Sequence, residues 1–278
     1  MSQVWFITGS GRGIGAEVVR AALQAGHQVV ATGRNLAQLQ ASFPDAPAGR
    51  IAFVELDVAQ EAQAEAAVSA VLERFGRIDV LVNNAGYGLM ANFEEVTSPQ
   101  IEHQFATNVF GLMHVMRAVL PVMRRQRSGR IFNISSVGGA LGFKGASVYC
   151  ATKYAVEGLS ASVAMEVAPF GIKVTAVEPG FFRTDFLDAK SVKYSDRLIE
   201  DYSAEGTVQD TYEHYNHQQA GDPAKLGAAL VKLAGMPNPP KQFLAGSDAV
   251  AMVTQSLDAR LGEVHAFAEL SRSTDGVF

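Results

Sequence analysis

Residues 130–153, RIFNISSVGGALGFKGASVYCATK, read as a strand ending in two hydroxyls, a glycine-rich apolar loop and the start of a helix. Branched and aromatic residues carry the strand from Arg130 to Ser135, and the helix is expected from about Ser147. Tyr149 and Lys153 stand four residues apart, so a helix places them on one face, one turn apart. Ser136 stands where strand gives way to loop, at the carboxyl edge where open α/β sheets bind their ligands. A phenol, an ammonium and a hydroxyl are thus aimed at one small space.

Such a trio suits proton transfer at an oxygen beside a hydride transfer. A phenol has an unperturbed pKa of about 10, too high for a base at neutral pH. A cation one turn away favours the phenolate and is expected to draw that value toward the working range. Ser136 can then hold the substrate oxygen while Tyr149 gives or takes its proton. The same spacing also occurs on ordinary solvated helices, so the surrounding chain has to decide.

Outward from this stretch, strands and helices alternate. Val4 to Thr8 is a short apolar strand running into TGSGRGIG, and a helix follows with Val18, Val19, Ala22 and Leu23 on one face. Glycines at that junction let a pyrophosphate approach backbone N–H groups at a helix N-terminus. The second strand, Gln28 to Thr32, leads into Gly33 and Arg34. A site for NAD has an acid there to bond the ribose 2′-hydroxyl; this chain has none, and Arg12 in the glycine loop adds a second cation. Two guanidiniums suit a 2′-phosphate.

The third strand, Ile51 to Leu56, ends at Asp57, which can cap the alanine-rich helix from Gln60 to Phe75 or bond an adenine amino group. The fourth, Ile78 to Val82, is followed by NNAG, Asn83 to Gly86. A long helix is expected from Pro99 to Arg125 with Asn108 inside it. Asparagine forms helices poorly: it is either solvated or set in a local distortion that frees its carbonyl for a water. Ile172 to Val177 is the sixth strand and ends in a Pro179–Gly180 turn. From Asp185 to Gly221 the periodicity dissolves, and so long a loop in a compact domain is expected to be a substrate-binding lid. Asp222–Pro223 opens a helix to about Ala234, Gln242 to Leu244 is a short seventh strand, and Ser247 to about Leu261 a last helix.

The chain has 278 residues, 48% hydrophobic and 18% charged, enough for a large core. Its net charge of −5 argues against a nucleic-acid surface. The single cysteine, Cys150, rules out an internal disulfide, gives no metal cluster and fits a reducing, cytoplasmic compartment. No charged n-region with a long apolar run opens the chain, and no apolar run reaches the ~18 residues of a membrane span. No metal site is expected. The expected fold is α/β: residues 1–278 as a single doubly wound Rossmann-type domain, with a mostly parallel seven-stranded sheet and helices on both faces.

Taken in order, TGSGRGIG, NNAG, N-V-F-G in the long helix, a serine thirteen before the tyrosine, Y-x-x-x-K and the P-G turn resemble the short-chain dehydrogenase/reductase family, over Val4 to Thr184. The resemblance implies an oxidoreductase acting on an alcohol/carbonyl pair. Tyr149 would be its acid/base, Lys153 would bond the nicotinamide ribose and lower the tyrosine's pKa, Ser136 would orient the substrate oxygen, and Asn108 would hold a relay water. Gly9, Arg12, Gly13, Ile14 and Gly15 would wrap the pyrophosphate and adenosine end, Asp57 would meet the adenine, and Asn83, Pro179, Gly180, Phe182 and Thr184 would flank the nicotinamide. Apolar residues near the site (Leu89, Met90, Val137, Leu141, Phe143, Phe186) favour a hydrophobic substrate. The chain lacks the V-D-G-G-type ending of tetrameric relatives; a homo-oligomer, dimer or tetramer, is expected. The alternative is a dinucleotide-sensing regulatory protein with this fold and no turnover, although such proteins usually lose one of the trio.

The cofactor reading is open to test. With Arg34 and Arg12 and no acid at Gly33, NADPH should bind more tightly than NADH by roughly 2–4 kcal/mol, about 30- to 1000-fold in Kd. Replacing both arginines should weaken NADPH and leave NADH nearly unchanged, and Gly33→Asp should turn the preference further toward NADH. Equal dissociation constants in the unmodified protein would refute it.

Overall fold

Apolar runs of four to eight residues, rich in Val and Ile, build the centre of the protein, a parallel sheet closed in by helices on both faces. The structure, a computed structural model, describes residues 2–188, 191–204 and 206–276. The first half runs β1 (Val4–Ile7), α1 (Gly13–Gln24), β2 (Gln28–Gly33), α2 (Leu36–Ala41), β3 (Ile51–Glu55), α3 (Glu61–Phe75), β4 (Val80–Asn83) and a two-residue β5 (Leu89–Met90). A long helix follows as α4 (Ser98–Phe105) and α5 (Gly111–Gln126), then β6 (Gly129–Ile134), α6 (Ser147–Val167) and β7 (Ile172–Pro179). The remainder is β8 (Lys193–Tyr194), α7 (Glu200–Ser203), α8 (Val208–Tyr215), α9 (Pro223–Ala234), β9 (Gln242–Ala245), α10 (Ser247–Ala266) and α11 (Ala268–Arg272).

The large sheet has the order β3-β2-β1-β4-β6-β7-β9, and each of its pairings is parallel. The expected seven strands are present, in a wholly rather than mostly parallel arrangement. Strand order reverses between β1 and β4, so the loops after these two strands leave the sheet in opposite directions and open a crevice at their carboxyl ends. Alternation along the strands sorts the core into two layers. Trp5, Ile7, Val29, Ala31, Val80 and Val82 face α1, α2 and α9, while Val4, Phe6, Val30, Leu81, Ile131 and Val174 face α3, α5 and α6.

Between α4 and α5 the helix takes a π turn over Ala106–Phe110, with Asn108 at its centre. Of the two readings of that asparagine, the local distortion is the one observed. Ser98–Gln126 as a whole is long and apolar enough to cross a membrane by length and composition, which corrects the expectation that no segment is. Its apolar face, however, is spent on the core: Leu112, Val115, Met116 and Val119 pack with α3 and α6 against the sheet.

The stretch from Asp185 to Gly221, expected to be irregular, carries β8, α7 and α8 instead. Its order comes from distant partners: Lys193 and Tyr194 pair with Leu89 and Met90, Ile199 N donates to Glu95 Oε1 at 2.9 Å, and the Tyr212 hydroxyl donates to Lys144 O at 3.1 Å. Elements of two to eight residues fixed by such contacts leave no period in the sequence. α2 was missed for the same reason; it is six residues long and opened by Asn35, whose Oδ1 accepts from Gln38 N at 2.9 Å.

Gly111 begins α5 where that helix presses on the loop after β3. A methyl added there would come within 2.6 Å of Val58 Cγ2 and 3.1 Å of the Val58 carbonyl carbon. Gly111→Ala should therefore destabilise the protein by about 1–3 kcal/mol in chemical denaturation, against the gain of up to about 1 kcal/mol that alanine brings to an exposed helix. A variant more stable than the parent would show that the two segments can part freely.

Candidate active site

The glycine loop after β1 forms the floor of the crevice. Gly9 takes a φ of 60°, a left-handed conformation in which glycine avoids the usual side-chain clash. Arg12 is the residue before α1 and makes no side-chain cap, so the helix presents its first-turn amides toward the crevice, where Gly11, Arg12, Gly13 and Ile14 lie. Thr8 and Asn84 hold this loop to the one after β4. The Thr8 hydroxyl accepts from Asn84 N and Ala85 N, both at 3.0 Å, and Asn84 Nδ2 donates to Thr8 O at 3.0 Å and Gly9 O at 2.9 Å.

At one end of the crevice stand Gly33, an exposed Arg34 and Asp57. Arg34 lies across from Tyr87: burial pushes the Tyr87 phenol up to about 12, against the opposing field of that guanidinium. Asp57 does not cap α3, which starts after Gln60; its Oδ1 accepts from Ala59 N at 3.0 Å in a local turn.

At the other end the trio comes together. Ser136 follows β6 and its Oγ accepts from Gly138 N at 3.0 Å; its hydroxyl faces the Tyr149 phenol and favours the phenolate. Lys153 Nζ lies 5.6 Å from the centroid of the Tyr149 ring and donates to Ile134 O at 2.8 Å. Pro179, Gly180, Phe182 and Thr184 complete this end, and the turn is held by Asp248, whose Oδ2 accepts from Phe181 N at 2.7 Å. The whole cleft has a volume of about 570 Å³.

The electrostatics differ from the expected lysine-acidified tyrosine. Burial, the largest influence, drives the Tyr149 phenol well above its ordinary range, and the neighbouring Ser136 hydroxyl offsets only part of that. Burial likewise pulls Lys153 down to about 8, with the Glu157 carboxylate acting in the opposite direction. Desolvation thus disfavours the charged form of both groups, and the protein alone does not bring the phenol to neutral pH.

Three expected residues stand off the cleft wall. Asn83 is 4% exposed and its Nδ2 donates to Asn133 Oδ1 at 2.9 Å, under the sheet; the residue at the wall is Asn84. Alternation along β4 decides this, since neighbours in a strand face opposite ways. Gly15 sits behind the loop, where an added methyl would come within 2.5 Å of Asn84 Nδ2, so its smallness serves packing. Asn108 spends its side chain on Tyr87, accepting from its N at 3.1 Å and donating to its O at 2.9 Å. Met90, Val137, Phe143 and Phe186 line the cleft as expected. Leu89 faces the interior from β5, and Leu141 packs with the group formed by Val137, Ala249 and Val253. Tyr212 of α8 joins the wall, a residue whose register no sequence period revealed.

The short chain dehydrogenase profile matches residues 3–194. The chain is 38% identical to Oxidoreductase BOA17 of Botryotinia fuckeliana over 272 residues, 98% of each chain. It is 36% identical to a 3-ketodihydrosphingosine reductase of Bacteroides thetaiotaomicron over 244 residues, 88% of each. Among solved structures, a short-chain dehydrogenase from Streptomyces avermitilis is 40% identical with a TM-score of 0.89, covering 99% of this chain and 100% of that one. ElxO with NADP bound is 30% identical with a TM-score of 0.73, covering 87% and 96%.

The desolvated lysine has a measurable signature. Its folded value of about 8 lies below the ordinary 10.5, so between these values the unfolded chain binds a proton that the folded one has released. Stability should therefore rise as pH climbs through this window, by on the order of 2–3 kcal/mol from this group. In Lys153→Met, which keeps most of the buried stem, that rise should vanish in denaturation curves taken from pH 7.5 to 10.5. Parallel curves for parent and variant would place the lysine in water.

Proposed function

This chain belongs to the short-chain dehydrogenase family, and we propose that it is an NADP(H)-dependent oxidoreductase interconverting a carbonyl and an alcohol on an apolar small molecule. The observation that carries the reading is the meeting of Ser136, Tyr149 and Lys153 on one cleft wall, with the Lys153 ammonium 5.6 Å from the centre of the Tyr149 ring.

The donor set fits a phosphorylated dinucleotide. The uncapped first turn of α1 opens on the cleft beside Gly11, Gly13 and Ile14, as a pyrophosphate requires. Gly33 offers no acceptor to a ribose, and the exposed guanidinium of Arg34 stands next to it. Gly9, Arg12, Gly13, Ile14 and Arg34 would hold the phosphates, Asp57 the adenine end, and Pro179, Gly180, Phe182 and Thr184 the nicotinamide end. When bound, the nicotinamide supplies or takes the hydride.

The chain's own part is proton transfer and positioning. Ser136 donates to the substrate oxygen and orients it. Tyr149 gives that oxygen a proton in reduction and takes it in oxidation. The Lys153 ammonium, close to the ring, stabilises the negative charge that develops on the phenol oxygen as the proton leaves. Met90, Val137, Phe143, Phe186 and Tyr212 make a largely apolar wall. The name of the Bacteroides relative, a reductase of a keto compound, supports a carbonyl on such a substrate. The lid role of 185–221 belongs to this proposal, with Phe186 and Tyr212 reaching the wall from it. So does homo-oligomeric assembly, supported by exposed Phe110, Tyr154 and Met165. So does a cytoplasmic setting, supported by the free, buried Cys150.

Tyr149→Phe keeps the ring and removes the hydroxyl. Against a panel of apolar ketones with NADPH, turnover should fall about 10²- to 10⁴-fold while NADPH, followed by its fluorescence, still binds. Near-parental turnover would remove Tyr149 from the chemistry. A parent protein that binds NADPH and reduces nothing in a wide panel would favour the sensing alternative.

A further inference from the structure

Behind the cleft, on the sheet face covered by α6, the apolar layer is broken by polar groups that the reaction above does not use. In the register of β6, β7 and β9, Asn133 is level with Ala176 and Ala176 with Gln242. Two residues further along the same face of β7 stands Glu178, level with Leu244. Ser135, whose N donates to Val177 O at 2.7 Å, extends β6 beside it. Glu157 reaches this patch from α6, one turn beyond Lys153. Its Oε2 accepts from Gln242 Nε2 at 3.3 Å, and the Ser135 hydroxyl beside it donates to Lys153 O at 3.5 Å.

The patch holds two carboxyl groups and too few donors for two charges. Glu178 is 1% exposed, and Oε1 of each glutamate is buried without a hydrogen-bond partner among the described residues. The groups facing the patch can be named element by element. From α6 come Lys153 and Glu157, with Tyr149 one turn before the lysine; from β6 and β9 come the neutral Ser135 and Gln242; from β7 comes Glu178. Val137–Gly139 brings no charge, and Asp248 at the start of α10 is engaged with Phe181 N and Ala249 N. Two buried carboxylates cannot both ionise cheaply. Burial raises the Glu157 carboxyl too, with the neighbouring Ser135, Gln242 and Lys153 opposing it in part, whereas Glu178 meets burial and the negative field of Glu157, which push it up to about 7. Of the two, Glu178 is the one driven further toward its protonated form.

We propose that Glu157 is a positioning residue for Lys153: its buried carboxylate, tied to Gln242 and one helical turn along α6 from the lysine, supplies the negative charge that keeps the buried ammonium in place for Tyr149. The inference rests on the proposed roles of Tyr149 and Lys153. It answers a difficulty those roles leave, since burial alone drives the lysine toward a neutral amine. Glu157 supplies the opposing field from the side away from substrate and cofactor, where it can act without touching either.

The test uses Glu157→Gln, which keeps the shape and an acceptor for Gln242 and removes the charge. Two profiles are read from pH 6 to 10: the Kd of NADPH by fluorescence, and kcat with a ketone substrate. The limb belonging to Lys153 is the one that disappears in Lys153→Met. In Glu157→Gln that limb should move about one unit toward lower pH, with kcat near pH 8 falling about tenfold and KM changing less than about threefold. Glu157→Asp, which restores the charge, should recover part of the shift. Gln242→Leu removes one of the donors that keep Glu157 ionised. It lies at an exposed strand position, so it carries the test if Glu157→Gln does not fold, and should move the limb the same way by a smaller amount. A parental limb in both Glu157→Gln and Gln242→Leu overturns the inference. A parent protein without turnover on any carbonyl compound would instead overturn the functional proposal, and the NADPH profile would still decide this one.

Discussion

The Thr8–Asn84 lock joins the two loops that leave the sheet in opposite directions. Thr8 ends the first apolar run and Asn84 follows the fourth strand, and four hydrogen bonds of 2.9–3.0 Å tie them across the point where strand order reverses. Without such a tie, a crevice between diverging loops would widen with every fluctuation. With it, the glycine loop has a fixed backbone, α1 starts where that loop ends, and the crevice keeps a constant width. Gly15 belongs to the same constraint, since any side chain there would push Asn84 out of the lock. A polar chain under the sheet continues it: Asn83 bonds Asn133, and Asn133 Nδ2 donates to Ser160 Oγ at 2.8 Å, so β4, β6 and α6 are pinned together. The helix that carries Tyr149 and Lys153 is thereby referenced to the loops at the other end of the cleft.

The second theme is the conflict between burial and charge. A site that excludes water strengthens every charge interaction inside it, and it also disfavours the ionised state of each group that must act there. Tyr149 and Lys153 both show the unfavourable side: one is pushed toward the phenol and the other toward the amine. Ser136 relieves the first in part and Glu157 the second in part. The arrangement reads as a series of small offsets, none large enough alone, which is what a buried site built from single hydrogen bonds and one nearby carboxylate can supply.

Much of this was legible in the residues. Alternating apolar runs and helical periods define β1, β2, β3, β4, β6 and β7, because a strand buried on both faces has to be a short continuous apolar run. The Tyr149–Lys153 spacing is a property of any helix, and Ser136 and Gly9 stand just past strand ends, with Gly13 opening α1, whatever the sheet's final order. These features are local, so the sequence by itself determined them. Asn108 was half legible: its poor helix propensity marked a disturbance, and the π turn is the form it took.

What lay beyond the sequence depends on contacts between distant segments. Whether Asn83 or Asn84 faces the cleft is a matter of strand phase at its last residue, which no residue type encodes. β8, α7 and α8 are held by Gly88, Glu95 and Lys144, far away in the chain, and have no period of their own. The charge state of the trio was misread for the same reason. Helical spacing sets how near Lys153 comes to Tyr149, but desolvation sets what charge either carries, and only the packed structure removes the water. Glu157 and Glu178, twenty-one residues apart in the chain, meet because β6, β7 and β9 lie in register beneath α6. Periodicity and spacing are written along the chain; burial and field are sums over everything folded around a group.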